Sequence, residues 1–137
     1  MEKKIETNLI ITNEVFVDDA GNEMPFVAYT VTLSNEPFKL VPLKKDKKLL
    51  AYLLTRNKLM VDGQYETTVT LSQEQFRDTK KRKTIDYVAY TISLCNREFK
   101  LFVKKDDKLL IKYILEQDYG FFVSDEAQEA EEEEDDE

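Results

Sequence analysis

Lysine dominates the residues of this chain that could do chemistry. Lys44, Lys45, Lys47 and Lys48 stand in one stretch, Lys104, Lys105 and Lys108 in a second, and Lys80, Lys81, Arg82 and Lys83 in a third. Lys39 and Lys100 each sit between apolar neighbours, where strand alternation turns them to the face opposite Phe38 and Phe99. Phe26 and Tyr87 fall on a face that otherwise carries Ala, Thr and Ser, and Phe102 can join it. Ammonium groups beside exposed rings suit single-stranded nucleic acid, because lysines track phosphates while rings stack on bases. Lys39, Lys44, Lys45, Lys48, Lys80, Lys81, Arg82, Lys83, Lys100, Lys104, Lys105 and Lys108, with Phe26 and Tyr87, are therefore the candidate nucleic-acid-binding residues.

Catalytic chemistry finds little support. The sequence has no His, the commonest general base and metal ligand. Cys95 is the only thiol, expected on a strand as a structural residue, with no His to activate it. Gly21, Gly63 and Gly120 are too far apart for a phosphate cradle. Asp18-Asp19 reads as turn chemistry, since the spaced oxygen ligands of a calcium loop are missing. Asp106-Asp107 reads as the start of a helix. The expectation is a protein that is not an enzyme and uses neither metal nor cofactor.

The elements that must position the lysines come from an internal repeat. Residues 26–40 align with 87–101 at nine identities in fifteen, and 44–50 with 104–110 at six in seven. Val27, Tyr29, Val31 and Leu33 alternate with small or polar residues, as do Val88, Tyr90, Ile92 and Leu94, the period of a half-buried strand. Asn35-Glu36 and Asn96-Arg97 are placed as tight turns into return strands at 38–40 and 99–101. Helices follow, with Asp46 and Asp106 as N-caps. Leu49, Leu50, Leu53 and Leu54 form one apolar stripe, and Leu109, Leu110, Ile114 and Leu115 the other. A further strand precedes each hairpin, built on 9–11 with 15–17 and on 65–71.

The expected fold class is α+β: a tandem duplication of a β-β-β-α unit, pseudo-twofold, each with an antiparallel hairpin sheet and one helix. Residues 1–62 and 63–123 form the two repeats, fused into one domain because each alone is near the lower size limit. Tyr119–Val123 is expected to pack back on the body. Residues 124–137 are expected to be a disordered acidic tail.

Charge divides the same way. The protein carries −8, but ten acids and no Lys or Arg lie from Ser124 onward. The remaining 18 acids face 20 bases, so residues 1–123 carry +2. Ten acids in fourteen residues cannot bury apolar surface. The tail resembles in outline the acidic C-terminal tails of bacterial and phage single-strand-binding proteins, although it ends Asp135-Asp136-Glu137 rather than in an aromatic or apolar tip. Such tails imply a competitor for the basic surface.

The leading functional expectation is a small accessory protein that binds nucleic acid, single-stranded, with the tail as intramolecular regulator. A protein-binding inhibitor or adaptor of a phage or mobile element, acting on a nucleic-acid enzyme, is the alternative. A structural or assembly protein pairing through strand edges, or a homodimer, is the third. One Cys, no signal peptide and no apolar run long enough to span a bilayer lead to a cytoplasmic expectation with no membrane partner.

Overall fold

In the computed structural model, residues 3–80 and 82–124 are described; Lys81 and the acidic residues from Asp125 onward lie outside them. Six strands run β1 Lys4–Val17, β2 Glu23–Leu33, β3 Glu36–Pro42, β4 Gln64–Asp78, β5 Lys83–Leu94 and β6 Arg97–Val103. Helix α1 covers Lys44–Arg56; a 3-10 turn at Lys105–Asp107 leads into α2, Lys108–Asp118. Every pairing is antiparallel, and the sheet closes on itself in the order β1-β2-β3-β6-β5-β4.

This closure corrects the expected fold class. The chain is mostly sheet, six antiparallel strands and two helices in one barrel, and not a duplicated β-β-β-α unit with one helix per repeat. The physical reason lies at the sheet edges. A three-stranded sheet would leave rows of unsatisfied N–H and C=O groups along β1 and β3. Instead β1 pairs with β4 from Lys4↔Ser72 to Thr12↔Gln64, and β3 with β6 from Leu40↔Val103 to Pro42↔Leu101. Strands far apart in sequence thus share one ladder. Neither half keeps a sheet of its own for a helix to cover. The tail expectation lies outside the described residues.

The core follows from alternation. Leu9, Ile11, Val31, Val69, Leu71, Ile92 and Leu101 are fully buried within the ring of strands. Leu50 and Leu54 of α1 and Ile111, Ile114 and Leu115 of α2 join the same cluster. Side chains fill a barrel this narrow, so its interior is not a ligand cavity. Leu101 belongs to the seam twice over, paired with Pro42 on one side and Tyr90 on the other. Leu101→Ala should cost about 3 kcal/mol of stability, the transfer term plus the cavity it leaves, read by denaturant unfolding.

Local signals were partly misplaced. The hairpin turns are Ser34-Asn35 and Cys95-Asn96, with φ of 51° and 67°, then 53° and 66°. They fall one residue before the expected position. Two consecutive left-handed residues fit a turn that matches strand twist, and Asn accepts that conformation. Cys95 is therefore an exposed turn residue, not a strand residue, and its sulfur accepts a hydrogen bond from Asn57 Nδ2 at 3.1 Å. Asp46 and Asp106 do not cap. Leu43 precedes α1 directly, and Asp46 stands inside the first turn, where it still complements the helix dipole. Asp106 sits in the 3-10 turn, and no side-chain bond caps α2.

β1 and β4 are longer than their apolar cores suggest. Residues 4–18 align with 64–78 at an offset of sixty, with Glu6/Glu66, Thr7/Thr67, Glu14/Glu74, Phe16/Phe76 and Asp18/Asp78 identical. Asp18 closes its hairpin by accepting bonds from the N–H groups of Ala20 and Asn22 at 2.9 and 2.8 Å. Those bonds hold its carboxyl below the usual range. Tyr119–Val123 does turn back, with Phe121 buried.

Candidate nucleic-acid interface

The outer side of β2, β3, β6 and β5 gathers the central candidate residues. Val41 pairs with Phe102 at the seam, both half-buried. Leu40 pairs with Val103, and Lys39 on β3 and Lys104, just past the end of β6, line one cleft. Towards the other end of the same seam, where Pro42 pairs with Leu101, Lys100 is exposed. Phe26 is 42 % exposed, and Lys39 Nζ stands 6.0 Å from its ring centroid, within cation–π range.

Lys39 also donates to Glu14 Oε1 at 2.8 Å, and Thr12 Oγ1 donates to Glu14 Oε2 at 2.9 Å. The Lys39 hydrogen bond, then that of Thr12, holds the Glu14 carboxyl below its ordinary value, with the positive charges of Lys39 and Lys104 assisting. Because the folded-state value is depressed, this stabilisation is present above the unfolded value of 4.5 and is lost as pH falls through the folded one. Both side chains stay in partial contact with solvent, so the pair is worth no more than about 1 kcal/mol. Glu14→Gln should lower the thermal midpoint slightly at pH 7, and the two proteins should converge as the pH falls below the folded-state value of Glu14.

Glu14 was missed in the sequence. The signal was present: Thr12-Asn13-Glu14 matches Ser72-Gln73-Glu74, and Ser72 Oγ donates to Glu74 Oε2 at 2.8 Å just as Thr12 does to Glu14.

Other candidates stand elsewhere. Lys44, Lys45 and Lys48 are exposed on the first turns of α1, and Lys105 on the 3-10 turn. Lys80, Arg82 and Lys83 sit apart, at the tip of the β4–β5 hairpin; Lys81 lies outside the described residues. Lys108 is 5 % exposed, so its ammonium is not a surface group. Tyr87 is half-buried, edge-on to Phe76 at 5.8 Å between centroids.

A cleft of about 190 Å³ opens where β2 and β3 diverge, lined by Phe26, Val27, Tyr29, Lys39, Lys47 and Lys104. Burial raises the Tyr29 hydroxyl to about 12, which keeps it neutral at physiological pH. The matched region of the second half, lined by Val88, Tyr90, Val103, Lys108 and Val123, holds only about 20 Å³. There the C-terminal segment fills the space. Ser124 N donates to Asp86 O at 2.9 Å, Asp86 N to Ser124 Oγ at 3.0 Å, and Gln73 brackets the Phe122 backbone at 2.7 and 2.8 Å.

Among the described residues, no group of three or more His, Cys, Asp or Glu could hold a metal ion, and no helix is long and apolar enough to cross a membrane. Comparison of the chain with protein-family models, curated proteins and solved structures finds no match in any of the three.

Proposed function

We propose that this chain is a non-enzymatic accessory protein that binds single-stranded nucleic acid across the outer face of β2, β3, β6 and β5. The observation that carries the reading is the adjacency of Lys39 and Lys104 beside the exposed Phe26 ring, with Lys100 on the same face. Phosphates would replace Glu14 as the partner of Lys39, and Phe26 and Phe102 would offer π-faces to bases. The ten acids that follow Ser124 in the sequence compete for the same lysines. A labelled oligonucleotide titrated with the full chain and with a chain ending at Ser124, at two salt concentrations, tests this. Truncation should tighten binding several-fold and added salt should weaken both. Absence of binding by either protein at low salt would end the reading.

A protein-binding adaptor is the second reading, and one observation favours it. The far end of the β1–β2 hairpin leaves Val15, Phe16, Val17 and Met24 each more than half exposed, an apolar surface of the kind that meets proteins.

A further inference from the structure

We infer that the edge of β2 from Glu23 to Val27, with the cleft beside it, takes an extended segment of a partner protein. That segment carries apolar side chains followed by carboxylates and adds to the barrel as a strand. This inference goes beyond the nucleic-acid reading: the cleft shares Phe26, Lys39 and Lys104 with that surface, but the open edge of β2 is used by the inference alone.

The molecule already contains an occupied version of the site. β5 pairs with β6 only from Tyr90 onward, and the C-terminal segment bonds the β5 backbone below that point, at Asp86. β2 likewise pairs with β3 only from Tyr29 onward. Among the described residues no strand lies along β2 before Tyr29 on that side. The linings correspond: Val27 matches Val88, Tyr29 matches Tyr90 and Pro42 matches Val103.

Backbone direction suits strand addition. Asp86 turns both its N–H and its C=O outward, to Ser124. Pro25 is the matching position, and alternate residues of an antiparallel ladder turn the same way, so Glu23 and Val27 also face outward. Pro25 has no N–H to give, which limits the added strand to a short one. Main-chain bonds of this kind supply affinity, and the flanking side chains supply selectivity.

Exposure and charge define the partner. Met24 is 52 % exposed and Phe16 56 %, whereas the matched Ile85 and Phe76 are at 2 % and 37 %. An apolar segment would cover the first pair. Lys47 and Lys104 line the cleft, and Arg56 stands where the second half has Glu116, whose carboxylate accepts the Val123 N–H at 3.2 Å. Carboxylates after the apolar residues therefore fit this cleft. The in-chain example of the pattern is Phe121-Phe122-Val123-Ser124-Asp125-Glu126.

The probe is a synthetic peptide with the sequence of residues 119–130, titrated into the full chain and followed by amide NMR. The expected result is saturable shifts at Glu23, Met24, Phe26 and Val27, with the Val27 amide protected from exchange. Lys47→Glu, on the exposed start of α1, should weaken the peptide about fivefold and the oligonucleotide by less than Lys39→Glu does. A peptide with its acids replaced by Asn and Gln should also bind more weakly. Shifts confined to β5 and the C-terminal segment would overturn the inference, as would none at millimolar peptide. It would equally fail if an oligonucleotide alone, and no peptide, protected Val27.

Discussion

Reversing two charges together, Lys39→Glu with Lys104→Glu, should lower affinity for a single-stranded oligonucleotide by about a hundredfold at low salt. Each lysine that meets a phosphate releases a counterion, and its replacement by an acid adds repulsion, so about tenfold per position is a reasonable scale. The two residues are adjacent across the β3–β6 seam and act on one stretch of backbone. The slope of affinity against salt should flatten in the double variant, because two ionic contacts are gone. Lys4→Glu is the control. Lys4 pairs with Ser72 on the β1–β4 seam, the side of the barrel opposite β3 and β6, and its reversal should change affinity little. Both substitutions are on the surface, so thermal midpoints should move by only a few degrees. A hundredfold loss with Lys4→Glu as well would mean diffuse attraction rather than a site.

The second large effect concerns folding. Neither residues 1–62 nor residues 63–124, produced alone, should show a cooperative thermal transition by circular dichroism, while the whole chain melts in one. Cutting the chain removes all of the β1–β4 ladder and the β3–β6 seam, and leaves both outer strands of each half as open edges. Leu9, Ile11, Val69 and Leu71, now fully buried, would lose the opposite wall of the barrel. Three strands with one helix could not repay the chain entropy from what remains. Cooperative melting of either half would show that the closed sheet is not the unit of stability.

Some of this was legible in the residues and some was not, for identifiable reasons. The alternation Val27, Tyr29, Val31, Leu33 is a local pattern, so β2 and β5 could be read from it. Barrel closure joins β1 to β4 and β3 to β6, strands about sixty residues apart, and such pairing leaves no trace in local periodicity. The turns lie one residue earlier than Asn35 and Asn96 suggest, because each Asn is the second and not the first left-handed residue of its turn. Lys39, Lys100 and Phe26 could be named from strand alternation and Lys104 from its lysine cluster, but their adjacency depends on the seam. Lys108 looked like the solvated start of a helix, yet it lies buried beside Val123 of the returning C-terminal segment. The contrast between a filled and an open cleft could not be read at all. Matched residues line both, and only the path of residues 121–124 tells them apart.

The most direct test of the binding surface is a map of amide and side-chain NMR shifts on the chain ending at Ser124 as a single-stranded oligonucleotide is added at low salt. The expected result is a contiguous set at Phe26, Lys39, Val41, Lys100, Phe102 and Lys104, fading as salt is raised. Shifts gathered instead at the β4–β5 hairpin tip, around Lys80, Arg82 and Lys83, or no shifts at all, would contradict it.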